Sequence, residues 1–241
     1  MLASLAHSKY RKEHRLFLVE GVHAARELLR SRWPVKSVII ADTFSDRDII
    51  EKAEKYGLER VGIRTIQKIA TTKTPQDIIA VAAIPENNPG KLTSHNKVLI
   101  ADGVKDPGNL GTIIRTAEAL GFGAVVTTAG SVDVFNPKVV RATQGAMFFI
   151  DIAQRIAVGD IINRLRSSHT IYALAVEGDS DLSSAAIDEK AALVIGSETR
   201  GVCDELLTAS RHRVRIPLPG KSESLNAAVA AGIAMYLFGR R

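Results

Sequence analysis

Short apolar runs alternate with segments of helical spacing along the first part of the chain. The runs at residues 35–41, 61–66 and 78–83 contain several Val and Ile residues, and they predict buried strands. Segments 21–31 and 46–56 carry apolar residues three or four positions apart, which predicts helices with one apolar face. Short strands that alternate with helices indicate a small α/β unit.

The same alternation continues beyond residue 96 with more strongly apolar strands. Two β-branched runs, 97–101 and 124–128, flank a helical segment at 109–120, and this order is typical of a βαβ unit. Further elements are predicted as strands at 171–176, 192–196 and 213–217, a helix near 161–166, and a final helix after residue 226. We therefore predict the α/β class, with a mainly parallel sheet that carries helices on both faces and follows the smaller unit.

A polar segment separates the two regions. Residues 84–96 contain two prolines and one glycine, as interdomain linkers often do. The predicted organisation is a first domain at residues 1–84, a linker at 85–96 and a second domain at 97–241.

Composition excludes several classes of protein. The chain has 241 residues with 46% hydrophobic content, no apolar run near the ~20 residues that span a bilayer, and no apolar centre of a signal peptide in its first 15 residues. We therefore expect a cytoplasmic protein. One cysteine, Cys203, excludes an internal disulfide, and six scattered histidines lack metal-ligand spacing, so no metal site is expected.

The net charge of +6 is unevenly distributed. Residues 1–96 contain 16 Lys and Arg against 11 Asp and Glu, and the densest cluster comprises Lys9, Arg11, Lys12 and Arg15. Such a cluster attracts phosphates, although a solvated surface is the alternative interpretation. In combination with the motifs quoted below, the cluster becomes our candidate surface for binding nucleic acid.

Three polar loops follow predicted parallel strands, at residues 102–111, 197–201 and 218–226. Because ligands of such sheets bind beyond the carboxyl ends of the strands, we expect these loops to meet at one site. In the last loop, Pro217 and Pro219 fix the backbone and remove amide donors, which leaves nearby carbonyls free for a ligand. The Ala- and Gly-rich helix that follows predicts close packing against another backbone.

In chain order, these loops resemble the three motifs of the SpoU/TrmH family of RNA 2'-O-ribose methyltransferases. The motifs read DGVKDPGNLGTIIRTAEALGFGA from Asp102, LVIGSETRG from Leu193 and IPLPGKSESLNAAVAAGIAMY from Ile216. The stretch FLVEGVHA from Phe17 is similar to the start of that family's small L30e-like substrate-binding domain. The resemblance implies S-adenosylmethionine as cofactor, RNA as substrate, a C-terminal trefoil knot and a homodimer formed through the methyltransferase domain.

The resemblance also implies the site residues. By position in the motifs, Asn109, Arg115, Glu198, Ser224 and Asn226 are the candidate catalytic residues. Arg115 is expected to bind the RNA phosphate beside the target ribose and to orient the hydroxyl, because a guanidinium is a poor base. Glu198 is expected to orient Asn109 or the first-motif loop through its carboxylate, and an acidic residue favoured by the dipole at a helix N-terminus is the alternative interpretation.

Three further residues are implied to bind the cofactor. Gly196 and Ile216 would offer backbone groups, and Leu225 would lie against the adenine. Thr199 stands where the family commonly has glycine, which puts the local shape of the second loop in question. Ser224 has an alternative interpretation as a helix N-cap.

Two other classes of protein are alternatives to a methyltransferase. A nicotinamide dehydrogenase is disfavoured, because Gly121-Phe-Gly123 follows a helix and lacks the third glycine of the dinucleotide fingerprint. A non-enzymatic RNA-binding protein is the alternative from another class. Large-subunit ribosomal RNA is the preferred substrate and transfer RNA the runner-up. Cys203 and Trp33 are interpreted as packing residues.

Overall fold

The computed structural model describes residues 2–239, which divide into two compact units. The first unit comprises the residues up to Glu86 together with Asp133–Phe149, and the second comprises Asn87–Val132 and the residues from Ile150 onward. Strands within the described residues are, in chain order, β1 (Leu16–Glu20), β2 (Val35–Ala41), β3 (Leu58–Val61), β4 (Ile78–Ala83), β5 (Lys97–Asp102), β6 (Ala124–Thr128), β7 (Asp151–Ile156), β8 (Thr170–Leu174), β9 (Ser180–Asp181), β10 (Ala191–Gly196) and β11 (His212–Arg215). The α-helices are α1 (Ser8–His14), α2 (Val22–Arg30), α3 (Arg47–Ala53), α4 (Ile63–Ile69), α5 (Pro107–Ala119), α6 (Pro137–Thr143), α7 (Val158–Leu165), α8 (Asp204–Ala209) and α9 (Ala227–Gly239).

The first unit is built on a four-stranded sheet in the order β1-β4-β2-β3. Strand β4 pairs antiparallel with both β1 and β2, and β3 pairs parallel with β2. Its apolar core includes Leu18, Ile39 and Ile79 from the sheet and Ile66 from α4, all of them buried. The predicted small α/β unit is confirmed, and the strands predicted at 35–41 and 78–83 have the observed bounds.

The strand predicted at residues 61–66 is wrong. Strand β3 ends at Val61, and α4 begins two residues later, after Gly62. Ile66 is the buried residue of this helix, whereas Ile63 is 40% exposed. Ile63, Ile66 and Ile69 are three residues apart, and this spacing suits a helix. Val61 and Ile63 also alternate as in a strand, which led to the wrong prediction.

Residues 133–149 belong to the first unit although they lie far along the chain. The Arg11 guanidinium is paired with the Asp133 carboxylate, with 2.5 Å between Nη2 and Oδ2. The ring of Phe135 lies 4.8 Å from that of Phe17, centroid to centroid, and Trp33 contacts both Phe135 and Phe148. Trp33 is therefore a packing residue. The continuous second domain expected at residues 97–241 is interrupted by this segment.

The second unit is built on a seven-stranded sheet in the order β7-β6-β5-β10-β8-β11-β9, in which all neighbours pair parallel. On one face, Val98 and Ile100 of β5 pack in a core with Ile161 of α7 and Leu206 of α8. Because successive side chains point to opposite faces and Leu99 is also fully buried, both faces are covered. The predicted parallel α/β sheet is confirmed.

The edge strand β7 contains a bulge. Its register with β6 shifts between Val126 and Thr128, and Arg155 takes a left-handed backbone conformation with φ of 56°. The Arg155 amide donates a 3.0 Å hydrogen bond to Thr127 Oγ1, which fixes the bulge.

The final helix, α9, packs against α5. Its buried face includes Ala227, Ala231 and Ala234, and a Cβ on Gly232 would lie 3.9 Å from the methyl group of Thr116 on α5. Lys97 Nζ also donates a 2.8 Å hydrogen bond to the carbonyl of Phe238. The small residues thus permit close helix packing. None of the helices in residues 2–239 has the length and apolar character needed to cross a bilayer.

Candidate active site

A cavity of about 690 Å³ opens at the carboxyl ends of β8, β10 and β11. Its lining includes Leu174, Ile195, Gly196, Ile216 and Leu225. The three residues implied to bind a cofactor therefore surround one cavity, at the edge of the sheet where ligands of parallel α/β proteins bind. The cavity volume lies within the range of small-molecule sites, about 300–1,000 Å³.

The loop between β11 and α9 supplies one wall of this cavity. Within the described part of the chain, the main-chain groups of residues 216–225 make no backbone–backbone hydrogen bonds. Ile216 and Leu225 are half-buried, and Pro217 is exposed. Since main-chain groups near an apolar wall need partners, this loop can offer carbonyls and amides to a bound molecule.

The loop Ser197–Gly201 also lines the cavity, and it closes on itself. Ser197 and Gly201 exchange two backbone hydrogen bonds of 3.1 and 2.9 Å. A Cβ on Gly196 would lie 2.0 Å from the carbonyl carbon of Gly201. The absence of a side chain at Gly196 is therefore needed for the shape of the loop itself.

Asn109, Glu198 and Asn226 form one hydrogen-bonded group beside the cavity. Asn109 Nδ2 donates to Glu198 Oε1, which is one of the two contacts that the resemblance implied for Glu198, and Asn226 Nδ2 donates to Asn109 Oδ1 at 3.0 Å. Asp106 caps α5 by accepting from the Asn109 amide at 2.8 Å. Asn226 caps α9, because its Oδ1 accepts from the amides of Ala228 and Val229 at 2.9 and 3.3 Å.

The other two candidate catalytic residues, Arg115 and Ser224, are not part of this hydrogen-bonded group. Arg115 is exposed on α5, six residues and so about 9 Å along the axis from Asn109. No hydrogen bond or ion pair of its guanidinium occurs among the described residues. Ser224 is exposed and lines the cavity. The N-cap of α9 is Asn226, so the alternative role of Ser224 as a cap is wrong.

Two residues at this edge of the sheet, Asp102 and Arg200, have structural roles that were not predicted from the sequence. Asp102 is buried, and its carboxylate accepts from Thr128 Oγ1 at 2.9 Å and from the Cys203 amide at 2.8 Å. It thereby ties the end of β5 to β6 and to the start of α8. Arg200 lines the cavity and extends towards Gly103. Both residues lie inside the motifs quoted above, and this position could have indicated that they belong to the site.

Cys203 lies close to the cavity without the features of a nucleophile. Burial raises the pKa of its thiol, and the neighbouring Asp102 carboxylate adds to that effect. The thiol is therefore protonated at neutral pH and acts as a packing group. Among residues 2–239, no cluster of His, Cys, Asp and Glu side chains is arranged to hold a metal ion.

Three of the four residues in the basic cluster of the first unit are exposed, and one is buried. Lys9, Lys12 and Arg15 are exposed on α1 and at its C-terminal end. Arg11 is 2% exposed, and besides Asp133 its guanidinium donates to the carbonyls of Leu5 and Ala6 at 2.9 and 2.8 Å. The prediction that Arg11 binds RNA is wrong, because its charge and donors are used internally.

The second unit therefore combines a parallel α/β sheet, a cavity beyond the carboxyl ends of its strands and an adjoining group of amide and carboxylate side chains, which is the arrangement of an enzyme that binds a small-molecule cofactor. Residues 96–236 match the SpoU rRNA Methylase family, and residues 1–80 match the MRM3-like substrate binding domain. The chain belongs to the SpoU rRNA methylase family and is an RNA methyltransferase of that family.

Individual relatives extend the similarity to both units. The chain is 37% identical to the 23S rRNA (guanosine(2553)-2'-O)-methyltransferase RlmP of Bacillus subtilis, covering 95% of this chain and 90% of the relative. It is 32% identical to the 23S rRNA (adenosine(1067)-2'-O)-methyltransferase of Streptomyces laurentii, covering 88% of each. The crystal structure of an AdoMet-bound rRNA methyltransferase from Sinorhizobium meliloti matches with a TM-score of 0.88 at 29% identity, covering 99% of this chain and 92% of the other.

Proposed function

We propose that this protein transfers a methyl group from S-adenosylmethionine to a ribose 2'-hydroxyl of large-subunit ribosomal RNA. The observation that carries the proposal is the position of the Asn109, Glu198 and Asn226 group beside a cavity lined by uncommitted main-chain groups. The names of the similar proteins from Bacillus subtilis and Streptomyces laurentii support the same reaction on 23S rRNA.

The cavity fits the proposed cofactor. Leu225 and Ile216 provide apolar surface for a flat base, while the main chain of residues 216–225 provides donors and acceptors for its edge. The AdoMet-bound structure from Sinorhizobium meliloti, which shares this fold, supports that assignment. When bound, the cofactor supplies a sulfonium-activated methyl group.

The side chains of the site position the RNA. Arg115 has an exposed guanidinium and would bind the phosphate next to the target ribose. The Asn109 amide is held from both sides by Glu198 and Asn226, so its orientation is fixed before the substrate arrives. Such alignment lowers the barrier of an in-line transfer, by up to ~7 kcal/mol in favourable cases. Ser224, exposed in the cavity lining, completes the polar surface.

The first unit would bind folded RNA through phosphates. Lys9, Lys12 and Arg15 are exposed on or next to α1, and single-stranded loops of structured RNA expose the bases that such proteins recognise. Transfer RNA remains the second candidate substrate. The relatives named above methylate different nucleotides, so the similarity does not define the position in the RNA.

We further propose a symmetric dimer and a knotted C-terminus for the second unit. Val229, Ile233 and Tyr236 lie on one side of α9 and are 51%, 37% and 50% exposed, which suits a helix that packs against a second copy. The small residues of α9 are compatible with threading beside α5. Light scattering of the purified protein and of Ile233→Glu tests the dimer, since a monomeric wild-type protein contradicts it.

Mapping of 2'-O-methylation in total RNA tests the function. Cells with and without the protein should differ at a ribose of 23S rRNA, and purified protein should restore that methyl group when S-adenosylmethionine is supplied. Loss of a methyl group from transfer RNA alone would overturn the substrate. Absence of any S-adenosylmethionine binding by calorimetry would favour a non-enzymatic RNA-binding protein.

A further inference from the structure

Three rings lie along one side of α1. His7 precedes the helix, and Tyr10 and His14 follow at intervals of three and four residues, so all three rings are neighbours on its surface. The Tyr10 and His14 rings are nearly parallel, with an angle of 9° and centroids 6.5 Å apart, and His7 meets the edge of Tyr10 at 6.5 Å. We call these residues the ring strip.

The ring strip does not serve the core of the first unit. Tyr10 is 37% exposed, and His7 and His14 are also exposed. The helix is instead held by Arg11, which is buried and hydrogen-bonded, and by the neighbouring Leu5, which is fully buried. Because these rings point outward, they do not stabilise the fold through burial, and they are accessible to a ligand.

Cations surround the ring strip. The Lys9 ammonium lies 5.8 Å from the centroid of the Tyr10 ring, and Lys12 and Arg15 are exposed nearby. Glu13 is the one acidic residue of α1. Arg15 ends the helix in a left-handed conformation, with φ of 53°, and its Nη2 donates to the carbonyl of Ile84 at 3.1 Å.

We propose that the ring strip is a stacking surface for an unpaired nucleobase of the substrate RNA, and that Lys9 and Lys12 hold the phosphates on either side of that base. Exposed aromatic faces interleaved with cations are what single-stranded nucleic acid requires, because bases stack on rings while the backbone needs positive charge. Charge complementarity favours RNA over an apolar peptide. The proposal rests on the proposed function, since it names how that substrate is held.

The experiment measures binding of a fluorescein-labelled, unstructured RNA of about 12 nucleotides by fluorescence anisotropy at fixed salt. Tyr10→Ala should raise the Kd about tenfold, within a span of about fivefold to 100-fold, whereas Tyr10→Phe keeps the ring and should bind like the wild type. An abasic RNA of the same length should bind wild type and Tyr10→Ala equally. Lys9→Ala and Lys12→Ala should flatten the salt dependence, while the exposed Lys55→Ala in the same unit should not.

Two results would overturn the proposal: equal RNA affinity of wild type and Tyr10→Ala, or an equal loss of affinity for the abasic RNA. Thermal unfolding shows whether Tyr10→Ala folds, and Tyr10→Phe provides the same comparison with the ring intact. A different set of results would show that the proposed function fails while the stacking proposal holds. In that case the wild-type protein would bind the labelled RNA through Tyr10 but would neither bind S-adenosylmethionine nor methylate 23S rRNA.

Discussion

The hydrogen bond between Asn226 and Asn109 can be removed while α9 keeps its cap. In Asn226→Asp, a carboxylate oxygen can still accept from the amides of Ala228 and Val229. The donor to Asn109 Oδ1 is lost, however, and two acceptors then face each other across a 3.0 Å contact. The Asn109 amide must reorient, and its position relative to Glu198 changes.

The two effects have different magnitudes. Asn and Asp are about equally good N-caps, so the free energy of unfolding of Asn226→Asp should stay within about 0.5 kcal/mol of the wild type. A misplacement of about 1 Å at a reaction centre costs ~100-fold in rate, which corresponds to ~2.7 kcal/mol of activation free energy. We therefore expect a near-normal Tm and a kcat lower by about two orders of magnitude.

The assay combines single-turnover methyl transfer to 23S rRNA with thermal unfolding and calorimetric binding of S-adenosylmethionine. Asn226→Ala is the control, because it removes the cap as well. Loss of a cap costs about 1 kcal/mol and should lower the Tm by roughly 2–4 °C in a chain of this size. Turnover of Asn226→Asp within a few fold of the wild type would refute the positioning role of this hydrogen bond.

Three further predictions concern Arg115, Gly196 and the buried His169, whose Nε2 lies 2.7 Å from the carbonyl oxygen of His95. Arg115→Ala should abolish methyl transfer without changing the Tm or cofactor binding, and near-normal turnover would remove Arg115 from the site. Gly196→Ala should lower the Tm together with cofactor affinity, because its Cβ meets Gly201 at 2.0 Å; a wild-type Tm would contradict this. Burial lowers the pKa of His169 below its usual 6.5, so the folded protein holds this side chain in the neutral form. The stability that neutral His169 contributes is fully present above about pH 6.5, and it is lost as the pH falls towards the folded-state pKa. Urea unfolding at pH 7.5 and 5.5 should show a smaller loss for His169→Gln than for the wild type, and equal losses would contradict the assignment.

Buried strands were the part of the fold that local pattern predicted well. Residues 78–83 and 124–128 are buried almost throughout, and so are residues 38–41 of β2, and such runs have few alternative structures. Short elements with one buried residue were predicted poorly. Helix α4 has a single buried residue, Ile66, so tertiary packing rather than local preference decides its form.

Long-range pairings could not be predicted from pattern. Nothing near Asp133 indicates that its carboxylate is the partner of Arg11, 122 residues earlier, and the basic cluster therefore had the same appearance as a fully solvated one. The contact of Asn109 with Glu198 was predicted through the resemblance to a family. The second role of Asn226, as the cap of α9, became apparent from the geometry.

The ends of the seven-stranded sheet have a consequence for how the molecule meets its own copies. One border strand is bent by the residue at position 155, and the other, β9, is two residues long, so neither offers a straight ladder of open amides. Strand-to-strand polymerisation through this sheet is therefore disfavoured at both borders. A contact between helices, such as the proposed pairing through α9, is the more suitable route by which the second unit can associate with a copy of itself.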